Sequence, residues 1–114
     1  MRSHDGKQWE EVPGSAFGAI YNYRVNHLIE FKDQIYAGTR NWNWDTEQEE
    51  GAAIWRSADG TTWSSVVADG FGNPTNGQIH QFAVFSDTLY AGTWSYTTTH
   101  GVEIWRSSTG NAAD

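Results

Sequence analysis

Two short segments of the chain contain aromatic rings beside amides, hydroxyls and a carboxylate. Such a mixture suits a carbohydrate ligand, because the apolar C–H face of a sugar stacks on an aromatic ring while its hydroxyls bond to polar side chains. The candidate binding residues are Asn41, Trp42, Trp44 and Asp45 in the first segment, with Trp94 and Tyr96 in the second. The competing interpretation is that these rings only pack against neighbouring loops, and both interpretations stay open at this point.

Metal and cofactor chemistry find little support in the sequence. The acidic residues between positions 45 and 50 lack the glycine hinge and the ordered oxygen ligands of a calcium-binding loop. His27, His80 and His100 do not show the i, i+4 spacing of metal ligands on one element, and the chain contains no cysteine. We therefore expect neither a bound metal nor a cofactor.

An internal repeat covers nearly the whole chain and organises these residues. Arg2 and Arg56 start matching segments 54 positions apart, and the Tyr-Ala-Gly-Thr sequence at 36–39 returns at 90–93 with the same offset. The Ile-Trp-Arg-Ser sequence at 54–57 returns at 104–107, an offset of 50, so the second copy is four residues shorter in between. A period of this length is typical of an array of small structural units.

Within each copy, short runs of β-branched and aromatic residues bounded by Gly, Asp, Asn and Ser predict β-strands, and no helical periodicity is sustained. Strands A to D of the first copy are predicted at 27–31, 34–39, 52–57 and 62–67, strands A to C of the second at 81–85, 88–93 and 102–107, and a further strand D at 7–12. The predicted fold is all-β, with four antiparallel strands per repeat forming one blade of a β-propeller.

The turn between strands C and D carries the most specific local pattern, Ser-x-Asp-Gly-x-x-Trp, which occurs twice. The Asp carboxylate is expected to accept N–H bonds across its own turn, Gly to adopt a positive φ, and Trp to cap the edge of the blade. This role is structural, and its residues are Ser3, Asp5, Gly6 and Trp9 in one copy and Ser57, Asp59, Gly60 and Trp63 in the other. All four repeated tryptophans, which include Trp55 and Trp105 of strand C, are expected in the core.

This pattern resembles the Asp-box of sialidases and related β-propellers, with one residue fewer between Asp and Trp, and through the repeat the resemblance covers essentially the entire chain. A sialidase-like activity would need an arginine cluster for the substrate carboxylate and catalytic groups from several blades. Arg24 and Arg40 are the only arginines outside the repeated framework, and neither recurs. We therefore expect no catalytic residues and no enzyme, with a piece of a sialidase-type glycoside hydrolase kept as the less favoured alternative.

The composition argues against several other partners. A net charge of −7, a pI near 4.9 and only seven Lys and Arg argue against nucleic acid. No stretch approaches the roughly 18 apolar residues of a membrane span, and no charged-then-apolar leader opens the sequence, so no membrane partner is expected. The absence of cysteine is compatible with either redox environment and leaves the localisation open.

The predicted strands follow the order D, ABCD, ABC, which indicates a single two-blade unit over residues 1–114. Residues 1–12 then form the outer strand of a neighbouring blade, 13–67 the first blade, and 68–114 a second blade that lacks its own strand D. Because two blades cannot close a ring, we expect chains to join head-to-tail by strand exchange into a homo-oligomer. Three chains giving six blades, the count in sialidase-type propellers, are favoured over two or four.

The long B–C and D–A loops of a propeller blade share one face, and the candidate binding residues fall in the B–C loops. The leading hypothesis is a non-enzymatic, self-assembling module with lectin-like carbohydrate binding on that face. The alternative is a fragment, or an engineered or ancestral-like scaffold, with no ligand of its own.

Overall fold

The computed structural model describes residues 1–11, 22–95 and 101–111, and over these ranges the chain forms strands and turns. The strands are β1 (Asn22–Phe31), β2 (Gln34–Asn43), β3 (Gln48–Glu49), β4 (Ala53–Ser57), β5 (Ser64–Val67), β6 (Asn76–Phe85), β7 (Thr88–Ser95) and β8 (Ile104–Ser107). The predicted all-β class is confirmed. Over the described ranges, no helix has the length and apolar character needed to cross a bilayer.

The strands pair antiparallel in one sheet with the order β5-β4-β2-β6-β7-β8, while β1 and β3 also pair with β2. The first copy of the repeat forms the succession β1, β2, β4 and β5, and the second forms β6, β7 and β8. The ladder joins the two copies through one residue pair, Arg40 on β2 with Gln78 on β6. The strands β1 and β6 therefore occupy equivalent positions, where the sequence predicts strand A.

Two-residue turns connect β1 to β2 and β6 to β7. The φ angles are 51° at Lys32 and 62° at Asp33 in the first turn, and 50° at Ser86 and 57° at Asp87 in the second. Two consecutive residues with positive φ form a type I′ turn, whose twist matches that of the strands it joins. Aspartate tolerates this conformation better than most residues, so both hairpins close at the predicted positions.

Four strands extend beyond their predicted limits. Both β1 and β6 begin five residues early, at 22 rather than 27 and at 76 rather than 81, while β2 and β7 continue to residues 43 and 95. The ladder shifts register between Val25 and His27, and at the equivalent place between Ile79 and Gln81. Such bulges insert an extra residue and interrupt the alternation from which a strand is predicted. Parts of the predicted long loops are therefore strands.

The N-terminal segment differs from the strand predicted at 7–12. Arg2 and Glu10 form an isolated bridge with N–H···O distances of 2.8 and 2.9 Å, and their side chains form an ion pair at 2.8 Å. Residues 7–9 belong to no strand, because the Asp5 carboxylate holds the N–H groups of residues 7 and 8 in the turn. The predicted strand's last residue, Val12, lies outside the described residues. Residues 2–10 therefore close on themselves as a short hairpin.

The hydrophobic core lies between the two copies of the repeat. Each copy contributes one face of its sheet: Phe31, Tyr36, Ile54 and Val67 come from the first copy, and Ile79, Phe82, Leu89 and Ala91 from the second. A polar contact crosses the same interface, since the Phe82 N–H donates to His27 Nδ1 at 2.7 Å. The antiparallel sheet therefore curls so that the two copies pack against each other across this core, and each copy has a second face that the core does not use.

The four repeated tryptophans do not all reach the core. Trp55 and Trp63 are half-buried, whereas Trp9 and Trp105 are exposed, contrary to the expectation from the repeat. Trp105 packs one face of its ring on Phe71, with centroids 4.5 Å apart, but it lies on β8, the last strand in the order of the described sheet. Trp9 lies in the N-terminal hairpin, outside the strands of that sheet.

Candidate functional site

A row of polar and aromatic residues crosses three neighbouring strands where the two copies of the repeat join. Gln78 on β6 pairs with Arg40 on β2 and with Trp94 on β7. Adjacent strands lie about 4.8 Å apart. Arg40 and Trp94 therefore lie on the strands to either side of Gln78, with their backbones about 10 Å apart. We call Arg40, Gln78 and Trp94 the cross-strand row.

Arg40 is held by an ion pair that the sequence reasoning did not anticipate. The short strand β3 pairs with the end of β2, with Glu49 opposite Trp42. Arg40 Nη2 lies 2.5 Å and Nε 3.2 Å from Glu49 Oε1, and both side chains are largely buried. The Arg40 guanidinium also lies 5.9 Å from the centre of the Trp42 ring, within the range of a cation–π interaction. The ion pair with Glu49 therefore fixes the position of the Arg40 guanidinium against the Trp42 ring.

The turn after β2 presents a second indole beside the first. The rings of Trp42 and Trp44 meet edge to face, with centroids 6.3 Å apart and planes at 75°. Asn43 Oδ1 accepts the N–H groups of Asp45 and Thr46 at 2.9 and 3.2 Å, which holds the turn. Trp44 and Asp45 are exposed, so this turn offers an aromatic surface next to a carboxylate.

At the other end of the cross-strand row, Trp94 is exposed and lies beside an imidazole. The rings of His80 and Trp94 have centroids 5.4 Å apart. Asn26 Nδ2 donates to Gln78 Oε1 at 2.5 Å and to the Ile79 carbonyl at 3.0 Å, which fixes the amide in the middle of the row. The row therefore has ordered polar atoms at its centre and indoles near both ends.

The structure brings together some of the predicted binding residues and moves them from loops into strands. Asn41 and Trp42 lie in β2 and Trp94 in β7, while Trp44 and Asp45 follow in the turn before β3. Tyr96 lies outside the described residues. Sequence reasoning missed the contributions of Gln78, Glu49 and His80, because Gln78 and His80 lie at the bulges of β6 and Glu49 in a strand of two residues.

The Ser-x-Asp-Gly turns form a separate polar feature with the same hydrogen bonds in both copies. In one, Asp59 Oδ1 accepts the N–H groups of Thr61 and Thr62 at 2.9 and 2.8 Å, and Ser57 Oγ accepts the N–H of Gly60 at 2.7 Å. The turn at residues 3–8 repeats these bonds with distances between 2.8 and 3.0 Å. The Asp5 and Asp59 carboxylates thus stabilise the turns in which they lie by accepting backbone N–H groups.

A third turn of this kind follows β8, although the sequence there contains no Asp. Ser107 Oγ accepts the N–H of Gly110 at 2.8 Å, as its counterparts do in the other two turns. Thr109 stands at the Asp position, and its Oγ1 accepts the N–H of Asn111 at 3.2 Å. The Thr109 hydroxyl therefore makes one of the two hydrogen bonds that the Asp carboxylate makes in the other turns, and the turn is maintained.

The two aspartates make the stability depend on pH. Hydrogen bonds from the N–H groups of Thr62 and Thr61 lower the pKa of Asp59 below its ordinary value, and those from residues 8 and 7 lower the pKa of Asp5. The unfolded chain then binds protons that the folded chain does not, so this stabilisation is complete above the ordinary carboxyl pKa of about 3.9 and is lost as pH falls toward the folded pKa.

Asp59→Asn is expected to lower the melting temperature by several degrees at pH 7, because the charged acceptor of two N–H groups is replaced by a neutral amide. The difference from the wild type is expected to shrink between pH 5 and pH 2. Thermal melts over this range test the prediction. A difference that stays constant down to pH 2 would contradict it.

Within the described ranges, no group of three or more His, Asp or Glu side chains is arranged to hold a metal ion. Comparison of the chain with protein-family models, curated proteins and solved structures gave no match. Functional inference therefore rests on the residues themselves.

Proposed function

We propose that this chain is a non-enzymatic β-propeller module, built of two Asp-box-type blades, that self-associates head-to-tail into a closed ring. One observation carries the proposal. Each copy exposes apolar residues on its outer surface, and the equivalent residues of the other copy are buried in the core between the copies. A second chain could bury the exposed residues by the same contact that the two copies make within one chain.

The outer surface of the second copy provides one half of this match. Phe31 and Ile54 of the first copy are 4% and 5% exposed, whereas their counterparts Phe85 and Ile104 are 70% and 78% exposed. Fully burying such a side chain is worth about 1.5–3 kcal/mol. We call the surface around Phe85 and Ile104 the tail face.

The outer surface of the first copy provides the other half. Ile79 and Phe82 are 0% and 2% exposed in the core, whereas their counterparts Val25 and Leu28 are 46% and 52% exposed. We call the surface around Val25 and Leu28 the head face. Inside the chain, the first copy's Phe31 and Ile54 belong to the same core cluster as Ile79 and Phe82 of the second. The same contact between chains would join the tail face of one chain to the head face of the next.

An interface between two different faces is heterologous, so it repeats from chain to chain and gives a ring when the rotation between chains closes. Each chain adds two blades, and three chains would give six, with two or four chains as the other even-numbered rings in the usual range. Sedimentation velocity and native mass spectrometry of the 114-residue chain test this. Three chains of 12.8 kDa correspond to about 38 kDa. A folded chain that stays monomeric at high micromolar concentration would overturn the proposal.

The contacts of the arginines favour a non-enzymatic role. Arg40 is bound to Glu49, and Arg56 Nη1 donates to the Gly110 carbonyl at 3.2 Å and to Asn111 Oδ1 at 2.7 Å. These groups serve the fold and its core interface, whereas a sialidase-type site needs arginines that converge on a substrate carboxylate.

Carbohydrate binding at the cross-strand row is a second candidate function. Two exposed indoles support it, Trp94 opposite Gln78 and Trp44 in the turn after β2 beside the exposed Asp45, because sugars combine an apolar face with a rim of hydroxyls. The remaining alternative is a scaffold with no ligand of its own.

Trp94→Ala is expected to weaken glycan binding at least about tenfold, because one stacking surface is lost. A broad glycan array followed by calorimetry measures the effect. Trp9→Ala is the matched control, since Trp9 is another exposed indole but lies in the N-terminal hairpin and on none of the three strands of the row. Absence of binding across the array, or equal loss in both variants, would contradict a site at the row.

A further inference from the structure

Inside the chain, the turn that follows β8 docks on the first copy of the repeat. The Tyr36 hydroxyl donates to the Gly110 carbonyl at 3.4 Å, and Arg56 Nη1 donates to the same carbonyl at 3.2 Å. The same Arg56 nitrogen also donates to Asn111 Oδ1 at 2.7 Å. Gly110 is buried, and a Cβ at this position would overlap with the Tyr36 hydroxyl. The turn therefore fits a specific site made by a tyrosine and an arginine.

The second copy carries an equivalent of this docking site on its outer surface. Tyr36 is paired with Arg56 across β2 and β4, and Tyr90 is paired with Arg106 across β7 and β8 in the same way. Arg106 is exposed and Tyr90 is half-buried. The site is therefore repeated on the tail face.

The first copy carries an equivalent of the docked turn. Gly60 has a φ of 80°, close to the 86° of Gly110, and its turn is held by the same serine contact. No described atom lies within 4 Å of a Cβ built on Gly60, so the surface that Tyr36 covers at Gly110 is open here. Thr61 follows Gly60 where Asn111 follows Gly110, and both side chains carry an oxygen that can accept a hydrogen bond.

We propose that the turn of residues 57–62 docks on Tyr90 and Arg106 of a second copy of this chain, which is the specific contact that sets the register of the assembly. The Tyr90 hydroxyl and the Arg106 guanidinium donate to the Gly60 carbonyl, and Arg106 also donates to Thr61 Oγ1. This inference rests on the proposed self-association, and it adds the polar contact that decides which turn meets which site.

The sequence of the N-terminal turn explains why that turn is a poor occupant of the same site. It has the same hydrogen bonds and an equally open glycine, Gly6, with a φ of 76°. Lys7, however, stands where Thr61 and Asn111 stand. An ammonium group has three donors and no acceptor, and it would meet the guanidinium of Arg106 with like charge. The site therefore discriminates between two turns of nearly the same shape.

Thr61→Lys tests this contact with little risk to the fold. The N-terminal turn holds Lys7 at the same place, with its N–H bonded to Asp5 Oδ1 at 2.8 Å, so the turn accepts lysine. The variant is expected to raise the dissociation constant of the assembly at least about tenfold in sedimentation velocity, because like charges meet across the interface. Thr46→Lys, the same change on the exposed turn after β2, is the control and should assemble as the wild type does.

Charge reversal on the other side identifies the partner residue. Arg106→Glu alone is expected to weaken assembly, and Arg106→Glu combined with Thr61→Lys is expected to restore it, because lysine then meets a carboxylate. Thr61→Lys that assembles like the wild type, or a double variant that is no better than Thr61→Lys, would overturn this contact while self-association stands. A monomeric wild type would overturn the proposed self-association itself and this contact with it.

Discussion

Ile104→Asp is expected to convert the assembled protein into monomers that keep their fold. Ile104 is 78% exposed within the chain, so a carboxylate there stays in water and leaves the core intact. In the assembly, it would occupy the environment of Ile54, which is 5% exposed, and burying an unpaired carboxylate among apolar groups costs several kcal/mol. The dissociation constant should therefore rise more than about a hundredfold, as measured by sedimentation velocity alongside far-ultraviolet circular dichroism.

Leu28→Asp, on the head face, should have the same effect, and mixing the two variants gives the sharper result. Ile104→Asp keeps an intact head face and Leu28→Asp keeps an intact tail face, so a heterologous interface predicts a one-to-one heterodimer that cannot grow. Trp44→Asp, an equally exposed position on neither face, is the control and should leave the assembly unchanged. If only one of the two variants dissociates the assembly, or if the mixture stays monomeric, the head-to-tail arrangement is wrong.

Gly38→Ala is expected to destabilise the fold, whereas the same change at its repeat counterpart, Gly92, should be nearly neutral for the isolated chain. A Cβ at Gly38 would lie 2.7 Å from two atoms of Ile79, which the packed core cannot easily move. Overpacking of this kind typically costs about 1–3 kcal/mol of unfolding free energy. A Cβ at Gly92 would meet only the Gln81 carbonyl oxygen, at 3.9 Å. Urea unfolding of both variants in the monomeric Leu28→Asp background measures the difference.

In the assembly, the substitution at Gly92 should become unfavourable as well. Val25 is the counterpart of Ile79, so Val25 of a neighbouring chain would approach Gly92 as Ile79 approaches Gly38. Gly92→Ala in the otherwise unchanged chain is therefore expected to weaken association although it spares the monomer. If both substitutions lower the unfolding free energy of the monomeric variant equally, the predicted difference between Gly38 and Gly92 is wrong.

Several strands were predictable because their signals are local. The type I′ turns at 32–33 and 86–87, the Ser-x-Asp-Gly turns and the short β-branched runs between them each depend on a few neighbouring residues. The ends of the strands were less predictable. The bulges in β1 and β6 interrupt the alternation of side chains from which strand ends are predicted. The strand β3 contains only two residues, which is too short for any sequence periodicity to predict its pairing with β2.

The candidate site likewise combines features with a local sequence signal and features that depend on strand pairing. The candidate indoles were evident from the sequence, whereas the pairing of Gln78 with both Arg40 and Trp94 arises where the two copies join. The ion pair of Arg40 with Glu49 likewise depends on β3 folding back onto β2. Residues nine positions apart carry no periodic signal that would pair them in advance.

The sequence by itself determined the repeat, the all-β class and the turn chemistry, since each follows from local residue types and their spacing. The tertiary structure alone decided which of two equivalent residues is buried. Phe31 and Phe85 are the same residue at equivalent positions of the repeat, yet one lies in the core and the other faces solvent. Burial depends on whether a second layer packs against that face of the sheet, and a repeating sequence cannot by itself distinguish its inner copies from its outer ones.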